Sequence, residues 1–414
     1  MNASAYPPAD PPEPALLQTY GAFPFVLARA HGETLVAEDG REFVDFYGGH
    51  CVCGTGHGHP AVRAALHRQL DELVFYSTAA RIHIRDRAAA ALVAYAGSGM
   101  AAAFFCNSGS EANENALKLA VKQTGRRKFV AFRGAFHGRT LLALSVTDGA
   151  SLRDPYAGLL AETQFLALND RAALDAADFS EVAAVILEPI QSMAGICAAE
   201  ADWLRALRVK CTAAGALLVF DEVQTGFGRL GAPFAAQYYG VQPDMLTCAK
   251  AAGSGFPIGV LLVSGAVAAG VKGGDLGSTF GGGPLACAAL LATLEVVQQE
   301  DLAGRARAAE AFLRGHLAGQ SWLQIRGAGL LLGLEAQASA LAQPSPPAEA
   351  PVPLAASLKA HLLDHGLVVG GSSDPAVLRL MPPLTISDAA LERLVAAIQA
   401  FGDAHNLNQS GEAA

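Results

Sequence analysis

Charge is scarce in this chain. Only 16% of its 414 residues are Asp, Glu, Lys or Arg, and lysine occurs just seven times. Acids outnumber bases, giving a formal net charge of −9, which argues against nucleic acid or an anionic membrane surface as partner. An anionic small molecule would have to be met by individual arginines rather than by a general positive field. Cysteine is sparse as well. Its seven copies are scattered and odd in number, so they read as reduced and cytosolic rather than as a disulfide framework. Cys51 and Cys53 form a lone C-x-C without a second pair at zinc spacing. His57, His59 and His137 make no metal-ligand grouping, so no metal is expected, and none of the 11 histidines is needed for the chemistry argued below. No Walker A sequence occurs. The stretch 97–102, GSGMAA, fits GxGxxA but precedes an apolar strand-like run instead of following one, which excludes a dinucleotide fingerprint. Glycine breaks the longer apolar stretches before they reach membrane-spanning length. The opening MNASAYPPADPPEPA is proline-rich and acidic, without the basic-then-apolar order of a signal peptide, and reads as a mobile arm suited to lying on a partner subunit.

Hydrophobic residues and glycine are plentiful, at 52% and 44 copies. With so little charge, that composition suits a buried α/β sheet and a large subunit interface, and the length allows two domains. Glu33–Phe46 alternates around Asp39-Gly40, a hairpin signal. Strand-like runs at 129–132, 182–187, 217–220, 245–249 and 259–263 alternate with helix-like runs at 112–123 and 201–214, which implies a mainly parallel sheet with crossover helices. Pro284 opens a helix-like run that should bridge to a smaller domain, where Ser387 is the expected N-cap of the last helix. The proline-rich stretch 343–353 reads as a surface loop. The domain division expected is 1–55 for an arm and small-domain strands, 56–283 for the large domain and 284–414 for the small one.

Chemistry enters where the strand-like runs end. The run at 216–220 stops in Asp221 and Glu222, and the run at 245–249 stops in Lys250, followed by the small residues Ala251 to Gly255. In open α/β sheets ligands bind at the carboxyl ends of the strands. A lysine and a carboxylate brought to one such edge are what pyridoxal 5'-phosphate requires: the lysine forms the Schiff base, and the acid keeps the pyridine nitrogen protonated. Asn107-Ser108-Gly109-Ser110 leads into a helix, and small residues there allow several backbone N–H groups to face a phosphate.

These pieces resemble the class III aminotransferases, a branch of the fold-type I pyridoxal phosphate enzymes close to the acetylornithine and ornithine aminotransferases. The resemblance rests on FYGGHCVCGTGHGHPAV (46–62), NSGSEANENALKLA (107–120), FHGRT (136–140), EPIQ (188–191), DEVQTGFGRLG (221–231), PDMLTCAK (243–250), STFGGGPLACAA (278–289) and LRLMPPLTI (378–386), in family order. It implies an α/β fold with a mainly parallel seven-stranded-type sheet and a smaller α+β domain formed by the two ends of the chain. It implies a homodimer with shared active sites, an amine donor and a keto-acid acceptor such as 2-oxoglutarate. By resemblance Lys250 and Asp221 are catalytic, Ser108, Gly109 and Ser110 hold the phosphate, and Gln224 bonds the phenolic oxygen of the ring. Phe136 stacks on the ring, and Thr279 adds a hydroxyl from the neighbouring subunit. Glu188 orients polar groups beneath the cofactor or contacts substrate directly. Arg139 and Arg379 are the expected carboxylate clamps, a task for which the planar guanidinium fork is suited.

Three positions depart from the pattern; Gly283 in GGGPL, where asparagine is common, only tightens a turn, and the other two bear on substrate. Met193 stands where ornithine-type relatives carry a glutamate that shields the carboxylate-binding arginine, which leaves Arg379 available in both half-reactions. His50 sits in a loop that shapes the donor pocket and is either a substrate contact or a spacer. Rival readings are an aminotransferase for a different α- or β-amino donor, an aminomutase on the same scaffold, and a non-catalytic protein that kept the fold.

Overall fold

The structure, a computed structural model, describes residues 16, 17, 19, 21–97, 99–337 and 353–408. The arm expected at 1–15 and all but Pro353 of the proline-rich loop lie outside the described residues. Strands β1 (Leu27–His31), β2 (Thr34–Ala37) and β3 (Glu42–Asp45) form an antiparallel meander, turned at Asp39-Gly40 as the alternation predicted.

The central sheet contains β4 (Met100–Cys106), β5 (Lys128–Phe132), β6 (Thr163–Leu166) and β7 (Val182–Leu187). After a small hairpin of β8 (Ile190–Gln191) and β9 (Cys197–Ala198), it is completed by β10 (Leu217–Asp221), β11 (Met245–Cys248) and β12 (Gly259–Ser264). The seven strands lie in the order β4-β12-β11-β10-β7-β5-β6. β10 runs parallel to both β7 and β11, and β5 parallel to both β7 and β6, whereas β12 is antiparallel to β11 and β4. The architecture is therefore the mainly parallel seven-stranded α/β sheet expected. β7 is an unbroken apolar run, VAAVIL, because helices cover both faces of the sheet and every residue of it is buried. β6, four residues at the sheet edge with only its last residue buried, has too little apolar pattern to be read from sequence.

Two helices carry this layer toward the site. Gly109–Thr124 starts at Ser108, whose hydroxyl accepts from the Glu111 N–H, and ends at Gly125 in the left-handed region. Ala201–Ala214 ends the same way at Gly215. Helix Pro284–Gln299 has proline in its first turn and joins two cores. Ala286, Cys287, Leu290 and Leu294 pack with the large sheet, whereas Val296 and Val297 pack with Leu302, Leu313, Trp322 and Phe401. The cores thus meet inside the helix rather than at its start. That second core is roofed by β13 (Leu323–Ala328), β14 (Leu331–Ala336) and β16 (Val377–Leu380), and by helix Asp388–Ala404, capped by Ser387. Its remaining strand, β15 (Leu367–Val368), pairs parallel with β3, Leu367 opposite Val44, and so ties the early meander to the late part of the chain.

Candidate active site

The carboxyl ends of β4, β7, β10 and β11 converge on a cavity of about 440 Å³. Each contributes the residues that follow it: Asn107 to Ser110 after β4, Glu188 after β7, Asp221 at the tip of β10 and Lys250 just past β11. Phe136, Arg139 and Gln224 complete that wall. The sheet rule thus explains why residues far apart in sequence share one space.

Lys250 occupies the left-handed region at φ 47°, in a short helical turn. A non-glycine residue there costs about 1–2 kcal/mol, strain of the kind functional sites retain. Burial holds its ammonium below its ordinary pKa, opposed chiefly by the attraction of Asp221. Asp221 is itself buried and held on several sides. Its Oδ2 accepts from Asn113 Nδ2 at 2.7 Å and faces His137 Nδ1 at 2.7 Å, while Oδ1 accepts from the Val223 N–H at 3.1 Å. Asn113 is fixed in turn, accepting from Thr247 Oγ1 at 2.6 Å. The sequence analysis gave His137 no part in the site, yet its ring contacts the expected catalytic acid. Its place inside the FHGRT segment was the available signal. Asn113 was legible as one helical turn beyond Gly109.

Glu188 is buried and accepts from the N–H groups of Phe136 (2.9 Å) and Ser192 (3.3 Å). Burial raises its pKa, with His137 opposing and Asp221 reinforcing the shift. Ser110 Oγ accepts from the N–H groups of Arg139 and Thr140, at 3.1 and 3.2 Å, folding the FHGRT segment over the helix N-terminus. Gly138, at φ 132°, has no room for a side chain, since a Cβ would collide with Ser110.

The remaining predicted residues lie elsewhere. Arg379, on β16, is buried but does not line this cavity. Its Nη1 donates to Ser192 Oγ at 3.0 Å and its Nε to the Gly371 carbonyl at 2.5 Å, and it makes no ion pair among the described residues. Met193 is half-buried and engages Ser373 only through its carbonyl. His50 lines a separate cavity, and Thr279 is exposed and outside both.

Glu222, next to Asp221, is a scaffold. It accepts from Thr225 Oγ1 and from the Ala235 and Ala236 N–H groups at 2.6–2.8 Å, and burial pushes its pKa up to about 7. The folded protein therefore holds a proton that the unfolded chain releases near 4.5. Stability from this group is complete below about 4.5 and is lost as pH rises through about 7. Glu222→Gln should flatten that window, up to about 3 kcal/mol of pH dependence, while costing about 1–3 kcal/mol for a mispaired N–H. Urea unfolding of variant and parent at about pH 5 and about pH 7 checks this, and equal pH slopes would reject it.

The cavity fits the expected cofactor in three respects. It offers a helix N-terminus to an anion and a buried carboxylate to a ring nitrogen. It also holds a buried amide end of Gln224 with no partner among the described residues, able to serve a phenolic oxygen once its O and N are assigned accordingly.

Comparison with known proteins agrees with this geometry. Residues 17–401 match the family model for aminotransferase class-III. The chain is 38% identical to the acetylornithine aminotransferase of Methanosarcina mazei over 92% of each chain. It is 40% identical to that of Mycobacterium tuberculosis over 94% of each. Among solved structures, the ornithine aminotransferase from Toxoplasma gondii superposes with a TM-score of 0.85 at 30% identity, covering 95% of this chain and 93% of that one.

Proposed function

Because the chain belongs to the class III aminotransferases, and is therefore a pyridoxal-phosphate-dependent transferase, we propose that it moves an amino group from an ω-amine of the acetylornithine or ornithine type to 2-oxoglutarate. The observation that carries this reading is the convergence of Lys250, Asp221 and the Ser108–Ser110 helix start on one cavity. Pyridoxal phosphate, when bound, supplies a carbonyl that takes up the donor nitrogen and a ring that accepts electrons. Ser108, Gly109 and Ser110 hold its phosphate, Asp221 its ring nitrogen, Gln224 its phenolic oxygen and Phe136 its face. Glu188 keeps the Phe136 segment in place through the N–H it accepts. Lys250 Nζ takes the proton from the amine-bearing carbon of the donor and returns it during transfer, a role its depressed pKa favours. Arg139 and Arg379 grip the carboxylates of the acceptor. Arg379 is held by a hydroxyl and a carbonyl rather than an acid, which supports its staying open in both half-reactions in keeping with Met193.

A homodimer completes the site. Val74, Phe75, Tyr76 and Phe280 are exposed apolar residues, and the Phe75 and Phe280 rings lie 5.0 Å apart. A patch of this kind calls for a covering surface, and the adjacent Thr279 would then reach the cofactor phosphate of the partner. A reducing, cytosolic setting is consistent with seven free cysteines.

The test is a half-reaction. Holoenzyme mixed with acetylornithine or ornithine, without acceptor, should lose the visible absorbance of its bound cofactor and regain it on adding 2-oxoglutarate. Recovery without any keto acid, accompanied by an isomerised amine, would instead establish an aminomutase. Bleaching by α- or β-amino acids alone would move the donor to that class.

A further inference from the structure

Arg379 is a buried cation whose hydrogen-bonded anchors are both neutral. A guanidinium presents its N–H donors in one rigid plane, so bonds on two different nitrogens fix the orientation of the whole group. The Gly371 carbonyl takes Nε and the Ser192 hydroxyl takes Nη1, whereas Nη2 carries no hydrogen bond among the described residues. Of the two anchors only Ser192 acts through its side chain, and it is wholly buried.

That hydroxyl is aimed. Its own hydrogen goes to Met381 Sδ at 3.7 Å, a weak acceptor, which leaves the oxygen lone pairs for Arg379 at 3.0 Å. The turn after β8 that carries it is clamped from both sides. The Met193 carbonyl accepts from the Ser373 N–H at 2.8 Å, and the Gly195 carbonyl accepts from Arg326 Nη1 at 3.4 Å. Gly195, at φ 95°, leaves no space for a side chain, since a Cβ there would stand 3.0 Å from that of Asp374.

Ser192 also connects the arginine to the cofactor wall. Glu188 takes the Ser192 N–H on Oε2 and the Phe136 N–H on Oε1, at 3.3 and 2.9 Å. Phe136, Glu188, Ser192 and Arg379 are thus joined by three consecutive hydrogen bonds, and the last three of these residues are buried. A chain of this kind sets the spacing between a carboxylate clamp and the reacting centre. The neutrality of the anchor matters equally. An acid in its place would pair with Arg379 and compete with substrate, whereas a hydroxyl orients the guanidinium and leaves its charge uncompensated. That charge reaches the amine: burial is the chief cause of the lowered Lys250 pKa, and Arg379 adds to it.

We propose that Ser192 is a positioning residue for the acceptor half of the reaction, aiming Arg379 at the carboxylate beside the keto carbon and holding that aim in register with Phe136. The proposal rests on the aminotransferase reading and on Arg379 as a carboxylate clamp within it. It makes Ser192 a determinant of keto acids over aldehydes as acceptors.

The probes are 2-oxoglutarate and 4-oxobutanoate, which differ only in the carboxylate beside the carbonyl. Calorimetry on enzyme loaded with pyridoxal phosphate, which has no amino group to give, reads Kd for each without turnover. Single-turnover kinetics on enzyme loaded with pyridoxamine phosphate read the rates. Ser192→Ala should weaken 2-oxoglutarate binding about tenfold, and lower its rate relative to 4-oxobutanoate by a similar factor, the loss of one hydrogen bond to a charged group. Ser192→Thr, which keeps the hydroxyl, should restore most of the discrimination. An unchanged ratio in Ser192→Ala, or equal losses on both acceptors, would overturn this proposal alone, because damage to packing does not distinguish them. Failure of the parent enzyme to transfer nitrogen from any amine to any keto acid would instead overturn the reading beneath it.

Discussion

Lys250→Ala is expected to lower kcat by more than about 10⁴-fold, the upper range for removing a positioned proton-transfer group, because the same amine also anchors the cofactor. The loss should not come from misfolding. Alanine at φ 47° bears the same backbone strain as lysine, and the neighbours Ala251 and Ala252 pack without the amine. The variant should therefore keep a cooperative unfolding transition and still bind pyridoxal phosphate through the helix start at Ser108–Ser110. What it lacks is a primary amine, so added methylamine should return part of the rate in proportion to its free-base concentration. Single-turnover kinetics with and without methylamine measure both effects. A variant within tenfold of the parent would show that Lys250 is not the proton carrier.

Asp221→Asn is expected to cost about 10²–10³-fold in kcat, the scale set by losing one preorganised electrostatic partner of the reacting group. The change is nearly isosteric but reverses the hydrogen-bond logic. Asp221 Oδ2 accepts from Asn113 and meets His137, and an amide nitrogen placed there would face the Asn113 donor. Turning the amide leaves its nitrogen toward the Val223 N–H instead, so one buried group is unpaired in either orientation, at about 1–3 kcal/mol. Removing the charge also withdraws the main attraction that keeps the Lys250 pKa from falling further. The pH–rate profile should accordingly change shape as well as height, and the cofactor should dissociate faster during gel filtration. A variant with parental kcat and cofactor retention would remove Asp221 from its role.

Most of the central sheet was legible because its strands are buried on both faces and so appear as bare apolar runs, as VAAVIL does at 182–187. The site residues after those runs were legible for a related reason, since Asp221 and Lys250 are polar residues directly following apolar strands. What escaped lacked a one-dimensional signal. The edge strand Thr163–Leu166 carries no period. The contact of His137 with Asp221 spans 84 residues and depends on how the FHGRT segment folds over the helix start.

The pairing of β3 with β15 bears on the order in which the chain matures. All strands of the central sheet fall between residues 100 and 264, so that layer can assemble while later residues are still being synthesised. The meander at 27–45 emerges first, yet its parallel partner Leu367–Val368 emerges more than 300 residues later. Such a pairing pays a long loop-closure entropy before it returns any contact, and it is slow for that reason. Phe43 can stack on Phe25 within the meander, but the edge of β3 that β15 covers must wait unpaired in the nascent chain through most of translation. The earliest strands of this protein are thus among the last to be locked, and their exposure on the ribosome makes them a natural point for chaperone engagement.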